Sequence, residues 1–173
     1  MKRLLPLLLA LLLPACRGIG TQGIAPPVAL DMTAIVRPST SNTALAAPSG
    51  FSPAPDIVTP PYRVDPDRLF SAIRAVALAQ PRTFAHGDFS GARQAHFVAR
   101  SAWLNYPDLI AVQVTPESAL ILWSRSVYGR SDFGVNRARL AAWLAALDGV
   151  LASPLSGYGA SCAAVTTANT ASP

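Results

Sequence analysis

The spacing of the hydrophobic residues predicts two amphipathic helices, one at each end of a folded core over residues 62–152. The first helix begins at Asp65-Pro66-Asp67, because an Asp caps free backbone N–H groups and proline fits the first turn, and it ends before Pro81. The second helix runs from about residue 132 to residue 151. Their apolar positions recur every three or four residues: Leu69, Ile73, Val76 and Ala77 in the first helix, and Leu140, Trp143, Leu144, Leu147 and Leu151 in the second.

Between the helices, alternating or compact apolar runs predict four β-strands, at about residues 82–86, 94–103, 109–114 and 119–128. Turn-forming residues separate the strands, so neighbouring strands must be antiparallel. Both helices need to cover one face of the sheet. The predicted fold class is therefore α+β, a two-layer sandwich with an antiparallel four-stranded sheet and two helices on one face, in the order α-β-β-β-β-α. The other face would be open to water, to a lid from the preceding segment, or to a ligand.

The three tryptophans, Trp103, Trp123 and Trp143, each belong to one of these periodic patterns. Such positions favour packing in the core over a pocket for an apolar ligand.

The first sixteen residues have the layout of a bacterial secretory signal. A positive Met1-Lys2-Arg3 precedes an apolar run over residues 4–13, which is too short to span a bilayer, and small residues lead to Cys16. Cys16 resembles the lipobox cysteine that becomes the lipidated N-terminus of a lipoprotein; ordinary cleavage near Ala15 and an uncleaved anchor are the alternatives. We therefore expect a lipid-anchored protein of the bacterial cell envelope that faces the periplasm, or else a protein secreted to the periplasm.

Two further segments are predicted to lie outside the folded core. Eight prolines among Ala, Ser and Thr make residues 17–61 a predicted tether, whose second half carries apolar residues and is expected to lie against the domain. Residues 153–173 lack periodicity and are expected to form a disordered tail. Cys162 lies in this tail and has no partner within the chain if Cys16 is lipidated, so a disulfide framework is not predicted.

Charge and composition narrow the possible partners. The formal net charge of +5 falls to +3 when Lys2 and Arg3 leave with the signal, and the arginines are scattered, so no nucleic-acid partner is predicted. Two histidines without a Cys-x-x-Cys fall short of a zinc set, and there is no phosphate-binding loop or dinucleotide fingerprint. The expected partners are the membrane, through Cys16, and an anionic lipid or an envelope protein; no metal or cofactor is predicted.

Residues 124–140 hold the densest cluster of polar side chains, where a strand ends, a glycine-rich turn follows and the last helix begins. In one hypothesis they form a structural latch: Asp132 caps the helix, which stabilises the protein by about 1–2 kcal/mol, and Arg125 pairs with Asp108 or Asp132. In the other hypothesis, the helix N-terminus and the arginines bind the phosphate or carboxylate of an anionic lipid or small ligand. Both hypotheses rest on the same candidate residues: Arg125, Ser131, Asp132, Asn136 and Arg137.

A third hypothesis is a serine-type hydrolase. Gly129-x-Ser131-x-x-Gly134 is similar to a nucleophile elbow, with His86 or His96 as the base. However, the spacing is one residue longer than in Gly-x-Ser-x-Gly, and the predicted sheet is antiparallel. A non-enzymatic binding or accessory role is therefore preferred.

The polar cluster also carries a family resemblance. Arg100-Ser101, Tyr106-Pro107-Asp108 and the Ser-Asp-x-Gly-Val-Asn-Arg run at 131–137, together with Pro81-Arg82, resemble the family called domain of unknown function 1499 over about residues 60–150. Many members look like small bacterial envelope proteins or lipoproteins, which implies the same location as Cys16 does. This chain lacks the Pro-Asn-Cys segment of many members, and the resemblance implies no activity.

Overall fold

The computed structural model describes residues 18–153, which form six strands, two α-helices and a short 3-10 helix. The predicted signal segment and the predicted tail beyond residue 153 lie outside the described residues. In chain order the elements are β1 (Thr43–Ala47), β2 (Ile57–Val58), α1 (Pro66–Ala79), β3 (Thr83–Phe89), the 3-10 helix (Ser90–Ala92), β4 (Gln94–Arg100), β5 (Pro107–Val114), β6 (Leu120–Ser126) and α2 (Val135–Ala152).

All six strands belong to one open, mixed sheet with the order β2-β1-β6-β5-β4-β3. Strands β3 to β6 are successive antiparallel neighbours, as their short connections require. The prediction of a four-stranded antiparallel sheet is nevertheless wrong in strand number and order. The Pro-rich segment supplies β1, which pairs antiparallel with β6, and β2, which pairs parallel with β1.

Both helices pack against the sheet, so the α+β class is correct. Asp65 caps α1 as predicted, because its Oδ1 accepts the N–H groups of Asp67 (2.9 Å) and Arg68 (3.0 Å). Helix α2 begins three residues later than predicted, since Gly134 precedes it with a left-handed φ of 82°. Neither helix within residues 18–153 combines the length and the apolar character needed to cross a bilayer.

The main hydrophobic core lies between the helices and one face of the sheet. Side chains of α1 and α2 pack there on alternate residues of β1, β4, β5 and β6. At its centre, the ring of Phe97 in β4 meets that of Trp143 in α2 edge to face, with ring centroids 5.8 Å apart. Burial of each such aromatic side chain stabilises the fold by about 1.5–3 kcal/mol.

The opposite face of the sheet is covered by residues 18–35, which we call the strap. This irregular segment adds a third layer to the expected two-layer sandwich. A second buried cluster joins the strap and the loop before β2 to the sheet; it consists of Met32, Leu45, Ala47, Ala111, Ile121 and Trp123, with Ile35 and Phe51 packed against it. Of the three possibilities for this face, the described chain shows a lid from the preceding segment.

The expectation of a core position is wrong for Trp103, whose side chain is 96% exposed. Strand β4 ends at Arg100, so Trp103 lies in the following loop and not on the strand. Trp123 and Trp143 are buried on opposite faces of the sheet.

Candidate functional site

Asn136 is the centre of a buried polar cluster where β6, α2 and the chain before β1 meet. Its side chain is fully buried. Its Nδ2 donates to the Asn42 carbonyl oxygen (3.1 Å) and to Ser126 Oγ (3.0 Å), while its Oδ1 accepts from the Ser124 hydroxyl (2.5 Å) and from Arg139 (2.6 Å). All of the hydrogen-bonding capacity of this amide is therefore used inside the protein.

The ion pair beside this cluster differs from the predicted one. Arg139, one turn into α2, donates to Asp108 Oδ2 (2.6 Å) at the start of β5, and both side chains are largely buried. Arg125, which was expected to pair with Asp108 or Asp132, lies on the other face of the sheet. Successive strand residues point to opposite faces, so Ser124 joins the cluster and Arg125 cannot.

The remaining candidate residues surround the start of α2. Asp132 acts as a cap, because its two carboxylate oxygens accept the N–H groups of Gly134 (3.0 Å) and Asn136 (2.8 Å). Ser131 is exposed, and its Oγ accepts the N–H group of Phe133 (3.3 Å). Arg137 is exposed and forms no ion pair with any residue that the structure describes. The structure thus brings Asn136 and Asp132 together and leaves Arg125 and Arg137 apart.

A cavity of about 390 Å³ lies between the strap and the sheet. Strap residues 23–30 form its roof, and side chains of β3 to β6 form its floor. The floor is mostly apolar, with Leu109, Trp123 and Val127, but it also contains Arg125, His86 and His96. This volume lies within the range of small-molecule sites, which are typically apolar with a few polar groups.

Gln94 fixes the strap at one end of the cavity. Its side chain is 1% exposed, and its amide clasps the backbone of Leu30: Oε1 accepts the Leu30 N–H (2.8 Å) and Nε2 donates to the Leu30 carbonyl oxygen (2.7 Å). Because Oε1 is an acceptor, the His96 Nε2 atom 3.1 Å away must carry a hydrogen and donate to it. The strap and the cavity histidine are therefore held by one amide.

Arg100 fixes the strap at the other end. Its buried guanidinium donates to the carbonyl oxygens of Gly20 (2.7 Å) and Gln22 (2.6 Å) in the strap and to that of Asn105 (3.1 Å). Between the two ends, His86 donates to the Ala25 carbonyl oxygen (3.0 Å). The strap is therefore attached by side chains of the sheet and pairs with no strand in a β-ladder.

Replacement of Gly87 by alanine is expected to destabilise the protein by about 1–3 kcal/mol through overpacking. A Cβ atom at Gly87 would lie 2.8 Å from Pro27 Cβ in the strap and 3.0 Å from Phe89 Cε2. Urea unfolding measures the loss, with Gly91→Ala as the matched control, because nothing lies within 4 Å of a Cβ there. Equal effects of the two substitutions would contradict close packing of the strap.

The cavity is electrostatically positive. Arg125 makes no ion pair with the described residues, and no carboxylate lines the cavity. Burial, followed by the positive charges of His86 and Arg125, lowers the pKa of His96. His96 is therefore neutral at neutral pH, and an anion bound beside it would favour its protonation.

This pKa makes the stability of the protein depend on pH. The pKa of His96 in the folded protein lies below its unfolded value of about 6.5. The stability that neutral His96 contributes is therefore fully present above that pH, and it is lost as the pH falls, because the unfolded chain then binds a proton more readily than the folded protein does. We expect the free energy of unfolding to fall less between about pH 7.5 and about pH 5.5 in His96→Gln than in the wild type. Urea unfolding at the two pH values measures this difference, and identical pH dependence in both proteins would contradict it.

The sequence did not predict that the residues of the cavity lie together. The alternation of His96, Val98 and Arg100 on one face of a strand was visible, and two buried-strand polar residues on one face indicate a cover that supplies partners for them. The sequence did not predict that the strap is this cover, because the strap backbone is held by side chains that lie 60 to 80 residues away in sequence.

The described residues do not bring the candidate nucleophile and the candidate bases of the hydrolase hypothesis into contact. Ser131, the nucleophile of the hydrolase hypothesis, lies in the β6–α2 loop, whereas the two histidines bond to Ala25 and Gln94 at the cavity. Within residues 18–153 no three His, Cys, Asp or Glu side chains are grouped to hold a metal ion.

The fold and the cavity define an α+β domain in which an N-terminal strap closes one sheet face over a ligand-sized space. The chain belongs to the family described as a protein of unknown function (DUF1499), whose match covers residues 32–147. The family match begins inside the strap, so the residues that roof the cavity precede it. Neither a search of curated proteins nor a search of solved structures found a match.

Proposed function

We propose that this domain is a non-enzymatic binding module that takes a small amphipathic anion into the cavity under the strap. The observation that carries the proposal is Arg125, an exposed cation that forms no ion pair with the described residues and lines a cavity whose other walls are largely apolar. An arginine in such surroundings suits a carboxylate or phosphate head group, and Leu109, Trp123 and Val127 suit an apolar tail.

The cavity supports this role better than the strand–helix junction does. At the junction, the Asp132 carboxylate already accepts the free N–H groups of the helix start, and Arg139 is neutralised by Asp108. An anion there would meet a negative charge at the position it needs. In the cavity no carboxylate competes with it.

The test compares three probes that each carry a ten-carbon chain and differ in head group: decanoate, decanol and decyltrimethylammonium. Binding is followed by tryptophan fluorescence in the Trp103→Phe background, where Trp123 lines the cavity and Trp143 is buried in the core on the other face of the sheet. We expect decanoate to bind best, and Arg125→Met to weaken decanoate about tenfold or more without weakening decanol, since a hydrogen bond to a charged group contributes about 1.5–3 kcal/mol. Arg130→Met is the matched control, because Arg130 is exposed and forms no ion pair with the described residues.

Equal affinity for the three probes, or equal loss of decanoate binding in the two arginine variants, would contradict the proposal. Native mass spectrometry of the protein purified from membranes provides an independent readout, in which a retained anion should disappear in Arg125→Met.

The proposed location is the bacterial cell envelope, with a lipid on Cys16 that holds the domain at the membrane and facing the periplasm. The signal-like sequence before Cys16 supports this location. Metabolic labelling with an alkyne analogue of palmitate should mark the wild type and Cys162→Ser but not Cys16→Ser. Labelling of Cys16→Ser at the wild-type level would exclude this anchor.

A further inference from the structure

One end of the sheet exposes an unusual number of large apolar side chains. The β4–β5 loop and the β6–α2 loop leave the sheet at the same end, because Asp108 near the start of β5 pairs with Ser126 at the end of β6. Trp103 in the first loop and Phe133 in the second are each 96% exposed. We call this surface the aromatic end; its residues are Ile19, Trp103, Leu104, Tyr106, Tyr128 and Phe133.

The described chain also begins at the aromatic end. The Asn105 side chain, in the β4–β5 loop, donates to the carbonyl oxygen of Gly18 (2.8 Å), so the strap enters the fold beside these loops. Ile19 is therefore part of the same surface.

Charge is distributed unevenly between the two ends of the sheet. The aromatic end carries three exposed arginines that form no ion pair with described residues: Arg82, Arg130 and Arg137. Its two carboxylates are engaged, Asp108 with Arg139 and Asp132 with the first turn of α2. The opposite end carries four acidic residues, Asp65, Asp67, Asp88 and Glu117. Four arginines accompany them, Arg63, Arg68, Arg74 and Arg93, and two of these form ion pairs, Arg74 with Asp88 and Arg93 with Asp67, so this end is close to neutral whereas the aromatic end is positive.

We propose that the aromatic end docks on an anionic phospholipid bilayer, with the rings of Trp103 and Phe133 inserted at the level of the head groups. Trp and Tyr are enriched at membrane–water interfaces because one part of the ring system is apolar and another is polar. Exposed arginines beside them are attracted to anionic lipid, each contributing about 1 kcal/mol near the surface. A protein partner would explain the exposed rings, but the bilayer also explains why arginines without an ion pair among the described residues share their end.

Docking orients the cavity relative to the membrane. Val127 lies on the cavity wall and next to Tyr128 in the same loop, so one wall of the cavity lies beside the aromatic end. The docking proposal does not depend on the proposed ligand, because the rings and arginines of the aromatic end do not line the cavity.

The test uses the full chain isolated from membranes and reconstituted in nanodiscs that contain brominated phospholipid, which quenches tryptophan on contact. The fluorescence difference between the wild type and Trp103→Phe isolates Trp103. We expect this difference to be strongly quenched in nanodiscs with anionic lipid, and the quenching to fall in high salt and in the double variant Arg130→Gln with Arg137→Gln.

A Trp103 contribution that is unquenched in anionic nanodiscs would overturn the proposal and would leave a protein partner as the occupant. Equal quenching in purely zwitterionic nanodiscs would overturn the anionic part of it. Quenching that persists in Trp103→Phe comes from the two buried tryptophans, Trp123 and Trp143, and is subtracted by the comparison with the wild type. The ligand proposal is tested separately with the soluble probes.

Discussion

Asn136→Ala is expected to lower the free energy of unfolding by about 3–5 kcal/mol, since each buried polar group left without a partner costs about 1–3 kcal/mol. The substitution removes one hydrogen bond from each of the Asn42 carbonyl oxygen, the Ser124 hydroxyl, the Ser126 hydroxyl and the Arg139 guanidinium, and it leaves a space beside them. The Asn42 carbonyl oxygen keeps the Ser126 N–H, but the Ser124 hydroxyl loses the acceptor of its hydrogen. These groups belong to β6, α2 and the chain before β1, so the loss loosens three parts of the fold together.

Urea unfolding, with the midpoint and the slope compared separately, measures the Asn136 effect. Arg137→Ala is the matched control, because Arg137 lies in the same helical turn but is exposed, and it should change stability by no more than about 0.5 kcal/mol. A loss below about 1 kcal/mol in Asn136→Ala would show that the cluster tolerates an unpaired hydroxyl, contrary to its complete burial.

Arg100→Met is expected to lower the free energy of unfolding by about 2–4 kcal/mol and to release the N-terminal part of the strap, because it removes three charge-assisted hydrogen bonds. Methionine retains much of the apolar stem but cannot donate to the carbonyl oxygens of Gly20, Gln22 and Asn105. The roof of the cavity then loses one of its two fixed ends, and binding in the cavity should weaken with it.

Hydrogen exchange resolves where the Arg100 effect falls. Backbone amides of residues 20–28 should exchange faster in Arg100→Met, whereas those of α2 should exchange at rates that reflect only the global loss of stability. Arg130→Met serves as the control, since Arg130 lies near the same end of the sheet without an ion pair among the described residues. Uniform acceleration throughout the chain would contradict a local release.

The parts of the fold that could be predicted are those with local signals. Asp65-Pro66 marks a helix start through capping and the fixed φ of proline, and the four central strands alternate with turn-forming residues. β1 could not be predicted in this way. Its sequence, TALAA before Pro48, has weak strand propensity, and it becomes a strand because β6 offers it an edge.

The sequence identified the residues of the candidate site, but it did not show which of them lie on the helix face of the sheet and which on the cavity face. In β6, Leu120 and Leu122 alternate with Ile121 and Trp123, so both faces are apolar and the sequence does not reveal which face meets the helices. Arg125 therefore gave no sign that it follows Trp123 to the cavity face. Asn136 lies in the first turn of α2, where a polar residue ordinarily faces water, and only the arrival of the Asn42 backbone makes it a buried centre.

The antiparallel pairing of Thr43 with Arg125 also constrains the order of folding. β1 leaves the ribosome early, yet its partner strand β6 and the helix that covers it are among the last structured segments to be made. Such distant pairing slows folding, because a long loop must close before any contact stabilises it. During synthesis β1 therefore stays unpaired, and the sheet closes only after the C-terminal half of the described chain has followed.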